Sequence, residues 1–207
     1  MDKDLKLILP MTPEEKKTAQ SVSDQICEQA ITLIRDNNNS LPLDKSKDKK
    51  ILVVGVTPIS RKGGDTSLTR MKSFSDSLRQ KGFEVDFQHN ILYETQGWTE
   101  SITTQYDRIL FLVDRHMHAP FGPLQFWDDE AQTVWGISAM PKDKLIVISL
   151  GSPYSISEYF ERVNTCINAY SNTAVMHKAV IKALMGEIKM KGTSPVDLDI
   201  QSKFKLY

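Results

Sequence analysis

The side chains with the widest chemical range follow short apolar runs. Arg61-Lys62-Gly63-Gly64-Asp65 comes after Ile51-Leu52-Val53-Val54-Gly55-Val56, and Asp114-Arg115-His116-Met117-His118 comes directly after Ile109-Leu110-Phe111-Leu112-Val113. If those runs are parallel strands, both segments stand at the carboxyl ends where open α/β sheets bind ligands. Arg61 and Lys62 beside two glycines suit an anion. Neither G-x-G-x-x-G nor G-x-x-x-x-G-K-[ST] is present, and Gly55 and Gly63 stand too far apart to form either loop. A flexible surface loop is the simpler expectation there. His116 and His118 need a carboxylate to complete a metal site. With 4 histidines in the chain, solvated or interface roles are expected for them. No metal and no cofactor is predicted.

Nucleophilic and acid/base readings are weaker still. Ser152 follows a third apolar run in Leu150-Gly151-Ser152-Pro153, but G-x-S-x-G is absent. Ser152 is expected to cap a helix beginning near Pro153. Asp128-Asp129-Glu130 opens a helical segment, where carboxylates favour the helix dipole. Cys27 falls on an apolar helix side and Cys166 in a strand, so both are expected to be inert core thiols. Phe121, Phe126, Trp127 and Trp135 crowd one stretch. Phe121 and Trp127, beside the expected helix start, are candidates for a protein interface.

Periodicity supplies the elements that would position these groups. Thr12-Pro13-Glu14-Glu15 has a capping residue, a proline at the first helical position and a glutamate three after the cap. Apolar residues at Val22, Ile26, Ala30, Leu33 and Ile34 predict a helix running to about Asp36, stopped by Asn37-Asn38-Asn39-Ser40. Strands are predicted at 51–56, 83–87, 109–113, 145–150 and 163–169, with an edge strand at 196–198. Helices are predicted over 68–78, 98–106, 128–139, 155–160 and 174–185, the last turning Val175, Ala179, Val180, Leu184 and Met185 inward. Gly82 suits a helix stop. Several strands lack polar alternation, as strands covered on both faces do. The expected fold class is therefore α/β: a three-layer αβα sandwich around a mostly parallel sheet of about six strands.

Composition excludes several alternatives. The chain has 207 residues, 40% hydrophobic and 25% charged, which is globular composition. Lys+Arg and Asp+Glu both total 26, so no net field draws the chain to nucleic acid or anionic membrane. No apolar run approaches the ~20 residues that span a bilayer. Leu7-Ile8-Leu9 is too short for a signal-peptide core, so a chain starting naturally at Met1 is expected to be cytoplasmic, while the parent of a fragment could be exported. Two cysteines are no disulfide framework.

Three segments carry a resemblance. Glu28 to Leu43 (EQAITLIRDNNNSLPL) followed by Lys50 to Gly55 is similar to the entry of the C-terminal domain of family 3 glycoside hydrolases. Leu145 to Pro153 (LIVISLGSP) resembles a later strand of that domain with its Gly-x-Pro end. Asn168 to Thr173, Ala183 to Glu187 and Gly192 to Val196 resemble its closing stretch, with Thr193-Ser194 in place of the usual basic residue and leucine. The Asn-rich turn and Tyr170-Ser171-Asn172-Thr173 look most like the β-N-acetylglucosaminidase branch found in Gram-positive bacteria.

The resemblance implies an αβα sandwich over residues 12–198, an arm or linker remnant at 1–11 and a tail at 199–207. It also implies that the nucleophile belongs to a (β/α)8 barrel. Such a barrel needs ~250 residues, more than this chain holds. Retaining glycosidases need two catalytic groups on one sugar, and no family catalytic residue transfers to a position here. The expected role is an accessory domain packing on a barrel partner in cis or in trans, with amino-sugar glycans as candidate ligands. The alternative is a stand-alone carbohydrate- or anion-binding module using Arg61, Lys62, Asp65, Arg115, His116, His118, Phe121 and Trp127. A third class, an independent hydrolase built on Ser152 or Asp128-Asp129-Glu130, lacks a visible base or oxyanion hole.

Overall fold

The apolar runs become the middle of one sheet. The computed structural model describes residues 10–57, 66–91, 104–115, 126, 128–137 and 140–198. Strands β1 (Thr32–Asp36), β2 (Lys50–Val56), β3 (Glu84–His89), β4 (Arg108–Val113), β5 (Leu145–Ser149) and β6 (Thr165–Asn168) pair in the order β1-β6-β5-β4-β2-β3. All pairs are parallel except β1, which runs antiparallel to β6. Helices α1 (Pro13–Ala30), α2 (Thr66–Gln80), α3 (Asp128–Gly136), α4 (Tyr154–Tyr159) and α5 (Ala174–Leu184) complete the described elements.

Alternate strand residues point to opposite faces, and each face has its own core. Ile51, Val53, Leu110, Leu112, Ile146 and Ile148 meet Met71, Phe74 and Leu78 of α2 and Ala179, Val180 and Leu184 of α5. Leu52, Val54, Ile109, Phe111, Leu145 and Val147 meet Val134 of α3 and Ile156 and Phe160 at α4. The αβα sandwich is as expected. Gly82, at φ +95°, ends α2 in the left-handed region that suits glycine. The α5 face differs in detail: Val175 and Met185 are half-buried, and Met176 and Ile181 are buried instead.

The N-terminal segment is the main correction. Thr12 and Glu15 do form a reciprocal capping box, but α1 stops at Ala30 and Thr32–Asp36 is strand, not helix. Ile31, Thr32 and Ile34 are β-branched, which favours extended backbone. Ile31 is fully buried, Thr32 nearly so, and the Tyr170 hydroxyl donates to Thr32 Oγ1 at 2.9 Å. Helix α1 buries none of its residues. Val22 and Ile26, part of the helical apolar spacing, are 49% and 60% exposed. Cys27 and Ala30 do pack against the core, and Lys182 of α5 bonds Glu28. Two smaller corrections concern strands. The 163–169 strand is confined to Thr165–Asn168, and Val196-Asp197-Leu198 is not a strand, the sheet edges being β1 and β3. The helix expected at 98–106 falls largely outside the described residues.

The Asn-rich turn is organised by Asp36. Its carboxylate accepts from Ser40 N at 2.8 Å, Leu41 N at 3.2 Å and Thr165 Oγ1 at 2.9 Å. Asn39 supplies the left-handed residue at φ 51°. Ser40 and Thr165 are 3% and 0% exposed, so removing the acceptor strands buried donors. Asp36→Ala should therefore lower unfolding stability by about 2–3 kcal/mol, read from urea denaturation, with Asp36→Asn losing less. A change below about 0.5 kcal/mol would show that the turn holds without the carboxylate.

Candidate functional site

Strand order reverses between β2 and β4: β3 lies to one side, β5 and β6 to the other. The carboxyl ends of β2 and β4 therefore diverge into the crevice where doubly wound sheets place ligands. Three loops meet there through polar side chains. Asp114 follows β4, Ser67 lies in the first turn of α2, and Asn172 lies between β6 and α5. Ser67 Oγ donates to Asp114 Oδ2 at 2.6 Å, and Asn172 Nδ2 approaches Asp114 Oδ2 at 2.7 Å and Ser67 Oγ at 2.6 Å. Arg70 Nη1 donates to the Asn172 carbonyl at 2.9 Å. Asn172 Oδ1 is buried without a hydrogen-bond partner.

Beneath this cluster His177 lies edge-on to Phe74, ring centroids 5.4 Å apart. Its Nε2 is buried without a partner, and the ring bonds the Arg70 backbone. Burial drives its pKa down to about 4, the Arg70 guanidinium adding to the fall while the backbone bond and the Asp114 charge oppose it. On the other side of β4, Arg115 Nη1 meets Glu130 Oε2 at 3.4 Å, with both side chains nearly buried. The Arg115 guanidinium also lies 5.7 Å from the Phe126 ring centre, and Phe126 packs edge-on against Tyr159 at 4.6 Å. Gly151 explains the Gly-x-Pro end of β5. A Cβ there would collide with the Arg115 carbonyl, which accepts from Ser152 N at 2.7 Å.

Of the site candidates read from sequence, Arg115 is described, and it is paired with Glu130. Arg61, Lys62, Asp65, His116, His118, Phe121 and Trp127 lie outside the described residues. Their segments, 58–65 and 116–125, continue from β2 and from the residues just after β4. Glu130 stands in the first turn of α3, as expected, and is also half of a nearly buried ion pair. One expectation is corrected. Ser152 does not cap α4 with its side chain: the cap position is Pro153, without a side-chain bond. It is the Ser152 carbonyl that accepts, from the Ser149 and Ser155 hydroxyls. Trp135 is 75% exposed. Cys27 is half-buried, and burial pushes the Cys166 thiol up to about 11, which keeps it protonated and unreactive. Among the described residues no His, Cys, Asp and Glu side chains converge as a metal site, and no helix is long and apolar enough to cross a membrane.

Ser67, Arg70, Asn172 and His177 were not singled out as site residues from the sequence. They are held by one another, so the cluster ties the loops after β4 and β6 to α2 and α5. His177 gives that tie a pH signature. Its folded pKa lies below the unfolded value of 6.5, so the unfolded chain takes up the proton first as pH falls. Its stabilising contribution is whole above about pH 6.5 and is lost progressively down to about pH 4, up to ~3 kcal/mol. His177→Phe should flatten this limb in denaturation curves at pH 4 to 7. An unchanged slope would place the acid sensitivity elsewhere.

No family model matches the chain. It is 25% identical over 194 residues to a beta-N-acetylglucosaminidase/beta-glucosidase of Cellulomonas fimi, an alignment covering 89% of this chain and 32% of that protein. Among solved structures, the beta-glucoside phosphorylase BglX bound to 2FGlc superposes with TM-score 0.71 at 25% identity, over 92% of this chain and 33% of that one. A glycoside hydrolase family 3 beta-N-acetylglucosaminidase from Paenibacillus sp. str. FPU-7 shares the fold, at TM-score 0.63 and 23% identity, over 93% of this chain and 35% of that one. The chain thus spans about a third of the length of the proteins it matches. Fold, partial span and sequence likeness together make the chain similar to the C-terminal αβα sandwich domain of family 3 glycoside hydrolases.

Proposed function

We propose that this chain serves as the C-terminal accessory domain of a family 3 enzyme acting on β-linked glucosides or amino-sugar glycans, and that it packs against a catalytic (β/α)8 barrel in cis or in trans. Residues 12–198 form the domain in this reading, with 1–11 and 199–207 as flanking segments. The observation that carries it is the span: nearly the whole chain matches a third of its relatives, in sequence as in fold. The carboxylates of Asp114 and Glu130 fit a supporting role. Asp114 is bonded to Ser67 and Asn172, and Glu130 to Arg115, so each already holds protein rather than facing an open sugar site.

Helix α1 offers the partner a surface. It lies at the edge of the sandwich and leaves Val22 and Ile26 to water in the isolated chain. Covering side chains of this kind returns about 25 cal/mol per Å² of apolar area.

The test is hydrolysis of a chromogenic β-N-acetylglucosaminide and of a β-glucoside by the chain, alone and mixed with a family 3 barrel domain. The expected result is silence alone, and in the mixture either turnover or a rise in melting temperature from binding to the native state. Ile26→Asp should weaken that effect while leaving the stability of the isolated chain within about 0.5 kcal/mol. Turnover by the chain alone would overturn the accessory reading, and an inert mixture would return the stand-alone binding module.

A further inference from the structure

At the opposite end of the sheet lies a groove of about 400 Å³ that the cluster at the carboxyl edge does not involve. Its floor is Val134, Ile137, Leu145 and Val163; Trp135 and Tyr159 are its aromatic walls. Glu158, Glu161, Arg162 and Lys142 form its rim. Leu145 opens β5 and Val163 precedes β6, so the groove belongs to the amino-terminal edge. The five residues of β5 separate the two edges, a distance of roughly 16 Å at 3.3 Å per residue.

The chemistry of the lining selects an occupant. Trp135 is 75% exposed, the most exposed of the large apolar side chains among the described residues. An exposed indole beside a tyrosine suits a partner that is itself flat and partly apolar. The rim carries two carboxylates and two cations, so it offers both acceptors and donors and no net charge. An anion would meet the carboxylates, and a cation would meet Arg162 and Lys142. A pyranose ring fits both conditions: its C–H face lies on an aromatic, and its hydroxyls both donate and accept. The volume is within the 300–1,000 Å³ of small-molecule sites. Glu158 lines the groove, and desolvation raises its carboxyl above the usual range.

We propose that this groove is a carbohydrate-binding site for one or two sugar units of a neutral glycan, stacked on Trp135 and hydrogen-bonded by Glu158, Glu161 and Arg162. The site holds glycan away from the carboxyl edge and does no chemistry on it. It rests on the groove alone and stands or falls independently of the barrel partnership.

The experiment is isothermal titration of the 207-residue chain with cellobiose and with N,N′-diacetylchitobiose, with glucose 6-phosphate as the charged control. Saturable binding of at least one neutral disaccharide is expected near the millimolar range, with weaker binding of the phosphate. Trp135→Ala should weaken it about tenfold, Trp135→Phe should keep part of it, and Glu161→Gln should weaken it. Trp135 is exposed, so the alanine variant should melt within a few degrees of the parent, which separates lost binding from lost fold. No saturable heat up to roughly 20 mM of either disaccharide, or equal affinity in Trp135→Ala, would overturn the proposal. So would sedimentation showing that Trp135 supports self-association of the chain while neither sugar binds.

Discussion

Three adjacent strands with no exposed core side chain set the terms for everything else. In β2, β4 and β5 the residues Leu52, Val53, Ile109, Leu110, Ile146 and Val147 are all fully buried. Their backbones are paired on both sides, so neither face nor flank is open to water. A sheet of this kind needs a helical layer on each face, and α2 with α5 and α3 with α4 supply them. Once both faces are covered, polar chemistry has only the strand ends and the sheet edges to occupy.

The same constraint explains what could be read from the sequence. Continuous apolar runs announced β2, β4 and β5, because strands covered twice need no polar alternation. The α1–β1 boundary was misread because helical and extended patterns overlap there. Ala30, Leu33 and Ile34 continue a helical spacing from Val22 and Ile26, yet Ile31, Thr32 and Ile34 are β-branched and Asp36 is needed by the following turn. Tertiary pairing with β6 outweighed the local period. Val22 and Ile26 follow that spacing yet stay exposed, because α1 lies at the margin and packs through Cys27 and Ala30. Asn172 and His177 carried no short-range signal: their roles depend on loops after β4 and β6 that only the strand order brings together.

The two ends of the sheet differ in how far they satisfy themselves. At the carboxyl edge Ser67, Asp114 and Asn172 bond one another, Arg70 reaches the Asn172 backbone, and Arg115 meets Glu130. Such a network holds loops in fixed relation, because breaking any member leaves a poorly solvated polar group. The Gly151 contact with Arg115 adds backbone to this tie, joining the exits of β4 and β5. At the amino edge the polar groups around Trp135 form a rim instead, with the indole left largely to solvent.

That contrast bears on how a chain that matches about a third of its relatives' length can be a domain in its own right. The sandwich has a buried core on each face, as a domain requires. Among the described residues, its uncovered apolar surface includes the Val22 and Ile26 stripe on α1 and the groove at Trp135. The stripe is aliphatic and suits another protein surface, which covers it by exclusion of water alone. The groove mixes an indole with carboxylates and cations and suits a ligand that makes hydrogen bonds in fixed directions. A rigid body with one surface of each kind holds an aliphatic stripe and a polar-rimmed aromatic groove in fixed relation through the sheet between them.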